Sequence, residues 1–208
     1  LPMMLDAVAY RRRSPLRVHA LRGTLGALRA HVFNNVIWPD FTMLPSPETP
    51  LLTFREIGMG QCLLRGSRAP KHIEVLPAVH TVPACGYAVR SADGRANWVF
   101  GGDSERNPAF WQRVNQLDVG ALVIETAFSH NQRELARISR HLSPGVLVEE
   151  LGHIGQGSHY PVYITHTKPD CTHAVMAEIE ALSAQRKLLG LTVWDIRRLK
   201  AGDVLVVP

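Results

Sequence analysis

Short apolar runs and helical stretches alternate along this chain, and the alternation changes character about halfway. In the first part, apolar runs of strand length recur close together at 51–57, 62–64, 73–80, 87–89 and 97–100. Ser91, Ala92, Asp93 and Gly94 separate the last two and read as a hairpin turn. A helix is expected over 24–33, just after a strand-like run around His19. Four prolines between 39 and 50 mark an ordered loop. Beyond residue 100 the period lengthens. Helices are expected over 108–117, with Asn107 as cap and Pro108 at the first position, over 131–141, from Pro144 behind a Ser143 cap, and over 172–189, closed by Gly190. Between them lie strands at 119–124 and 162–165, and a last strand is expected at 203–207. Meander-like strands followed by strand–helix units make a mixed sheet flanked by helices, of the α+β or α/β kind, in one domain over 1–208.

Polar residues sit where the later apolar runs end. His80 closes one run, Gly101-Gly102-Asp103 another, Glu125-Thr126 a third and His166-Thr167 a fourth. Ligands of such sheets bind outside the carboxyl ends of strands. Taken singly, a strand-end His is ordinarily a hydrogen-bonded structural residue and Gly-Asp a turn. Together, imidazole and carboxylate suit Zn, Mn or Fe and leave no role for a soft thiolate site.

Composition narrows the class. With 46% hydrophobic and 20% charged residues the chain is ordinary globular protein. Lys plus Arg number 23 against 18 Asp plus Glu, a net charge of +5. Much of the excess lies in Arg11, Arg12, Arg13, Arg17, Arg22 and Arg29, so an anionic substrate is permitted and a broad nucleic-acid surface is not indicated. Cys62, Cys85 and Cys171 form no C-x-x-C and are expected as buried thiols of a reducing, cytoplasmic compartment. No membrane span is expected. The chain opens Leu1-Pro2 without an initiator Met, which leaves export open. His19, His72, His130 and His173 carry little weight. His153 and His159 bracket a Gly-rich loop read as a pocket rim.

Several stretches, in order, resemble the metallo-β-lactamase superfamily, and within it the class II 3′,5′-cyclic nucleotide phosphodiesterases. They are AHVFNNVIWPDF at 30–41, HTVP at 80–83 followed by Gly86-Tyr87, FGGD at 100–103, IETAF at 124–128, HLSP at 141–144 with Glu149-Glu150-Leu151, and THTKP at 165–169. The Trp-Pro and His-x-Lys-Pro stretches favour the phosphodiesterase branch. The resemblance implies a four-layer αββα sandwich whose first sheet is incomplete in this chain. It implies two divalent metal ions, Zn expected and Mn or Fe as alternatives, activating a bridging water that opens a cyclic nucleotide such as cyclic AMP to the 5′-nucleotide. His80 would complete one metal site, His166 the other, and Asp103 would bridge them. His141, held by Glu125, would protonate the leaving oxygen. Lys168 would neutralise a phosphate oxygen and His31 would line the nucleotide pocket, whereas Trp38 reads first as a packing anchor. The partner implied is a small anionic nucleotide, and a homodimer is allowed.

The superfamily's H-x-H-x-D-H signature does not occur in these 208 residues. The expectation is a C-terminal portion that starts just past that signature, with natural loss of the signature as the alternative. Three ligands split between two sites should hold metal poorly, so the chain alone is not expected to be a competent hydrolase. Two other readings stay open: a tRNA 3′-processing type or other hydrolase of this fold, for which no basic Gly/Pro-rich arm is visible, and a non-catalytic binding domain.

Overall fold

The computed structural model describes residues 1–65 and 71–206, which fall into two compact units, Leu1–Gly58 and Met59–Pro208. In the first unit α1 (Pro2–Val8) and β1 (Leu16–Leu21) precede α2 (Arg22–His31), and β2 (Leu52–Ile57) pairs with β1 in parallel. Leu5, Phe33, Phe41 and Leu52 form its core, against which Trp38 packs. Residues 39–50 contain no helix or strand.

The second unit is built on a seven-stranded mixed sheet in sequential order, β3-β4-β5-β6-β7-β8-β9. Its strands are β3 (Cys62–Arg65), β4 (Lys71–Pro77), β5 (Cys85–Arg90), β6 (Asn97–Phe100), β7 (Val119–Glu125), β8 (Val162–Thr165) and β9 (Ile196–Arg198). The first four are antiparallel neighbours and the last four are parallel. Crossovers carry α3 (Pro108–Val114), α4 (Arg133–Ser139) with α5 (Pro144–Leu151), and α6 (Thr172–Leu188). Parallel strands are covered on both faces and read as continuous apolar runs. Accordingly Ala121, Leu122, Val123, Ile124 and Glu125 of β7 are all buried. Leu76, Val99, Trp111, Leu147, Ile164 and Val175 are among the core residues that join sheet to helices.

Local chemistry sets the ends. The Asn107 side chain accepts the Phe110 N–H at 3.1 Å, and Pro108 occupies the first turn of α3. Ser143 stands at the cap position of α5, but its hydroxyl makes no capping bond. Between β5 and β6, Gly94 N–H bonds to the Ser91 carbonyl at 3.0 Å in the expected turn.

Three expectations are corrected. The last strand is Ile196–Arg198: residues 203–206 are not strand, and Val207 lies outside the described residues. A short parallel edge strand needs only a neighbour, and Leu199 N–H bonds to the Ile164 carbonyl at 3.0 Å. The thiols are not all buried. Cys62 is exposed, and Cys85 and Cys171 are half-buried against Tyr87 and Gln132. The Gly-rich loop at 152–160 precedes β8 and therefore lies at the sheet edge opposite the strand ends that carry His166, Glu125 and Asp103. Among the described residues, no helix is long and apolar enough to cross a membrane.

Candidate metal and phosphate site

Two antiparallel steps separate β4 from β6, so β4 runs in the same direction as β6, β7 and β8. Their carboxyl ends share one edge, and His80, Asp103, Glu125 and His166 follow them there. Gly102 turns the chain between β6 and Asp103 with φ +70°, and a Cβ at Gly102 would lie 2.6 Å from the Cys85 carbonyl oxygen. Only glycine meets both demands.

Glu125 is the anchor. Its side chain is 1% exposed. Oε1 accepts from Ser104 N–H at 3.3 Å, and Oε2 accepts from Ala127 N–H at 3.1 Å and Leu142 N–H at 3.3 Å. A carboxylate so supplied with donors acts as an acceptor for His141, whose Nδ1 lies 2.8 Å from Oε1. His141 therefore carries its proton on Nδ1 and keeps Nε2 as its free atom. Its side chain is 8% exposed. The ring is flanked by His80 at 4.8 Å, His166 at 5.1 Å and the Phe128 edge at 5.7 Å between centroids.

His80 is fixed in the same manner. A carbonyl can only accept, so the 3.2 Å contact between Nδ1 and the Arg140 carbonyl places the proton on Nδ1 and leaves Nε2 free. His166 Nε2 is 3.5 Å from Asp103 Oδ2 and 3.2 Å from Lys168 Nζ, which also lies 5.4 Å above the Phe128 ring. His166 itself adopts φ +61°, an uncommon conformation for a non-glycine residue.

One donor atom each from His80, Asp103 and His141 lie within 4.8 Å of one another. Small closures would bring them to the bond lengths a divalent ion requires. The outer nitrogens of both histidines are already held by a carbonyl and a carboxylate, the arrangement that orients metal-ligating imidazoles. The residues fit a divalent cation, and among the described residues the triad whose donor atoms lie within 4.8 Å of one another contains His141 rather than His166. Zinc, manganese and iron are not distinguished by this donor set.

The described structure thus gathers His80, Asp103, Glu125, His141, His166 and Lys168. His31 is exposed and belongs to the first unit. Sequence reading missed Arg140, Glu105 and Ser104, which tie the loops together. Ser104 Oγ accepts from Val79 N–H at 2.9 Å, and Glu105 N–H donates to the Val79 carbonyl at 2.9 Å. No spacing in the sequence announces these bonds, because they form between loops that only the sheet brings together.

No protein-family model and no curated protein sequence matches the chain. Solved structures do. Unliganded yeast PDE1 superposes with TM-score 0.74 at 19% identity over 94% of this chain, which spans 61% of the yeast chain. YhfI of Bacillus subtilis, a metallo-β-lactamase fold protein, gives TM-score 0.63 at 14% identity, covering 97% of this chain and 71% of its own. The short form of human tRNase Z gives 0.60 at 12% identity, covering 100% and 73%. Strand-end histidines and aspartate on a large mixed sheet, together with these likenesses, establish that the chain has the metallo-β-lactamase fold.

Proposed function

We propose that this chain carries the His80–Asp103–His141–His166 part of a metal-dependent phosphodiesterase site that opens 3′,5′-cyclic nucleotides, cyclic AMP among them, to 5′-nucleotides. The observation that carries the reading is the buried His141–Glu125 pair, 2.8 Å apart, with a ring nitrogen of His141 within 4.8 Å of donor atoms of Asp103 and His80. A fold core does not require a carboxylate-bonded imidazole stacked on one histidine and tilted against another. A divalent ion bound there would supply Lewis-acid charge on a phosphoryl oxygen and an activated nucleophile.

The chain's own residues do the rest. Once its free Nε2 has taken up a proton from solvent, His141 delivers that proton to the leaving 3′-oxygen and returns to the neutral ring, and Glu125 stabilises the imidazolium in between. Lys168 Nζ meets a non-bridging phosphoryl oxygen as a point charge. Asp103 and His80 would hold the cation, and His166, whose Nε2 lies 3.5 Å from Asp103 Oδ2, would be a further ligand. His141 Nε2 can act either as ligand or as proton donor, and the proposal assigns it the proton.

A tRNA 3′-processing type hydrolase is the second reading, favoured by the likeness to human tRNase Z. The test assays cyclic AMP and a tRNA precursor side by side with added Zn²⁺ or Mn²⁺. Turnover of cyclic AMP that Asp103→Ala abolishes supports the proposal. Cleavage of the precursor alone moves the assignment to the second reading. Metal binding without either activity refutes both and leaves a binding domain.

A further inference from the structure

The geometry points to Arg140 as a positioning residue of this site: it clamps the His80 loop to the His141 loop and so sets the distance between the two imidazoles. The inference rests on the reading of these histidines as a metal and phosphate site. Three observations carry it. First, the Arg140 carbonyl receives the His80 Nδ1 proton at 3.2 Å, which aims Nε2 away from the loop. Second, Arg140 Nη1 donates back to the His80 carbonyl at 3.2 Å, so one residue grips both the ring and the backbone of His80 across 60 positions of sequence. Its Nε lies 3.6 Å from Glu105 Oε1, in the loop that follows Asp103. Third, Arg140 holds φ +57° and ψ +52° at the end of α4, and His141 N–H then closes on the Ala136 carbonyl at 2.9 Å.

The left-handed conformation is the informative part. Glycine is the residue at ease at such a helix end, and arginine is strained there. The Arg140 side chain is 48% exposed, and a half-exposed ion pair at 3.6 Å adds little to stability. Neither packing nor a strong salt bridge explains an arginine in this conformation. Its two guanidinium contacts, with the His80 carbonyl and with Glu105 after Asp103, do, because a planar guanidinium can satisfy two acceptors in fixed directions while a flexible ammonium cannot.

Two simple alternatives predict other outcomes for metal binding. If Arg140 were only a helix end, Arg140→Gly would raise Tm and leave metal binding alone. If it acted only as a nearby positive charge, its removal would strengthen binding of a cation. Positioning predicts weaker binding despite the lost repulsion, because loss of a residue that orients a ligand typically lowers affinity about 10–100-fold.

The experiment compares the full chain with Arg140→Gly and Arg140→Lys, reading Tm, Zn²⁺ affinity by calorimetry and the His80 ring nitrogens by NMR. Expected are an unchanged or higher Tm for Arg140→Gly, zinc affinity lower by roughly 10–100-fold, and a His80 ring that loses its single Nδ1–H tautomer, because the main-chain carbonyl at position 140 drifts from Nδ1 once no guanidinium holds the two loops together. Arg140→Lys keeps the charge and the backbone cost, and its zinc affinity should also fall. Zinc affinity equal to or above wild type in both variants, with an unchanged His80 ring, overturns the assignment. Should the wild-type chain bind no zinc, the metal reading fails on its own, and the ring tautomer alone decides whether Arg140 positions His80.

Discussion

His141 is oriented through Nδ1, 2.8 Å from Glu125 Oε1, because Glu125 is itself fixed by donors. Three backbone N–H groups already point at that carboxylate. Replacing Glu125 with Gln keeps the shape but removes the charge that steadies an imidazolium. Turnover should fall about 100-fold or more, mainly in kcat, with zinc affinity changed far less. Wild-type kcat in Glu125→Gln would refute the proton-transfer role. Tyr160 gives a stability prediction independent of the site. Its hydroxyl is buried with no hydrogen-bond partner among the described residues, and burial pushes its pKa up to about 12 from the usual ~10. The folded state thus favours the protonated phenol. That contribution is intact below pH ~10 and is lost as pH rises through about 12. Tyr160→Phe removes an unsatisfied group and should leave Tm at neutral pH equal or higher. The variant should also lack the corresponding alkaline step in ultraviolet absorbance. A clear drop in Tm would show that the hydroxyl has a partner after all.

At the scale of elements, the turn after β6 aims Asp103. A Cβ on Gly86 would meet the Phe100 carbonyl oxygen at 2.5 Å, and one on Gly102 would meet Cys85 at 2.6 Å. Gly102→Ala must move backbone that belongs to β5 and also adopts a left-handed φ. A loss of roughly 1–3 kcal/mol is expected, with weaker zinc binding, since Asp103 is the next residue. Unfolding and zinc titrations indistinguishable from wild type would remove the turn from the account. Deep in the helical layer, Leu147 of α5 is fully buried, and Leu147→Ala should cost about 2–5 kcal/mol in chemical denaturation. The strands were readable in sequence where burial is two-sided, as in β7, or where an Asn-Pro pair starts a helix, as at α3. The short β9 was not. Three residues carrying two arginines give no periodic signal, and their pairing comes from β8 alone. Strand-end His and Asp were visible because apolar runs stop there. The Arg140 clamp was invisible because it depends on one left-handed residue and on loops distant in sequence.

On the scale of the molecule, four of the five strands that run in one direction carry site residues at their carboxyl ends along a single edge. The opposite edge receives the Gly-rich loop, which sequence alone had assigned to the pocket. Proximity of short motifs cannot tell the two edges apart. Strand direction can, and it requires the pairing register. The two compact units each have their own core, so the fold does not rest on a single continuous apolar cluster. The central claim is that the edge beyond β4, β6, β7 and β8 binds a divalent cation through Asp103. Calorimetric titration of Zn²⁺ into the wild-type chain and into Asp103→Ala tests it most directly. The account predicts saturable binding by the wild type that Asp103→Ala reduces by at least about 10-fold. Absence of saturable binding, or equal binding by the two proteins, would contradict it.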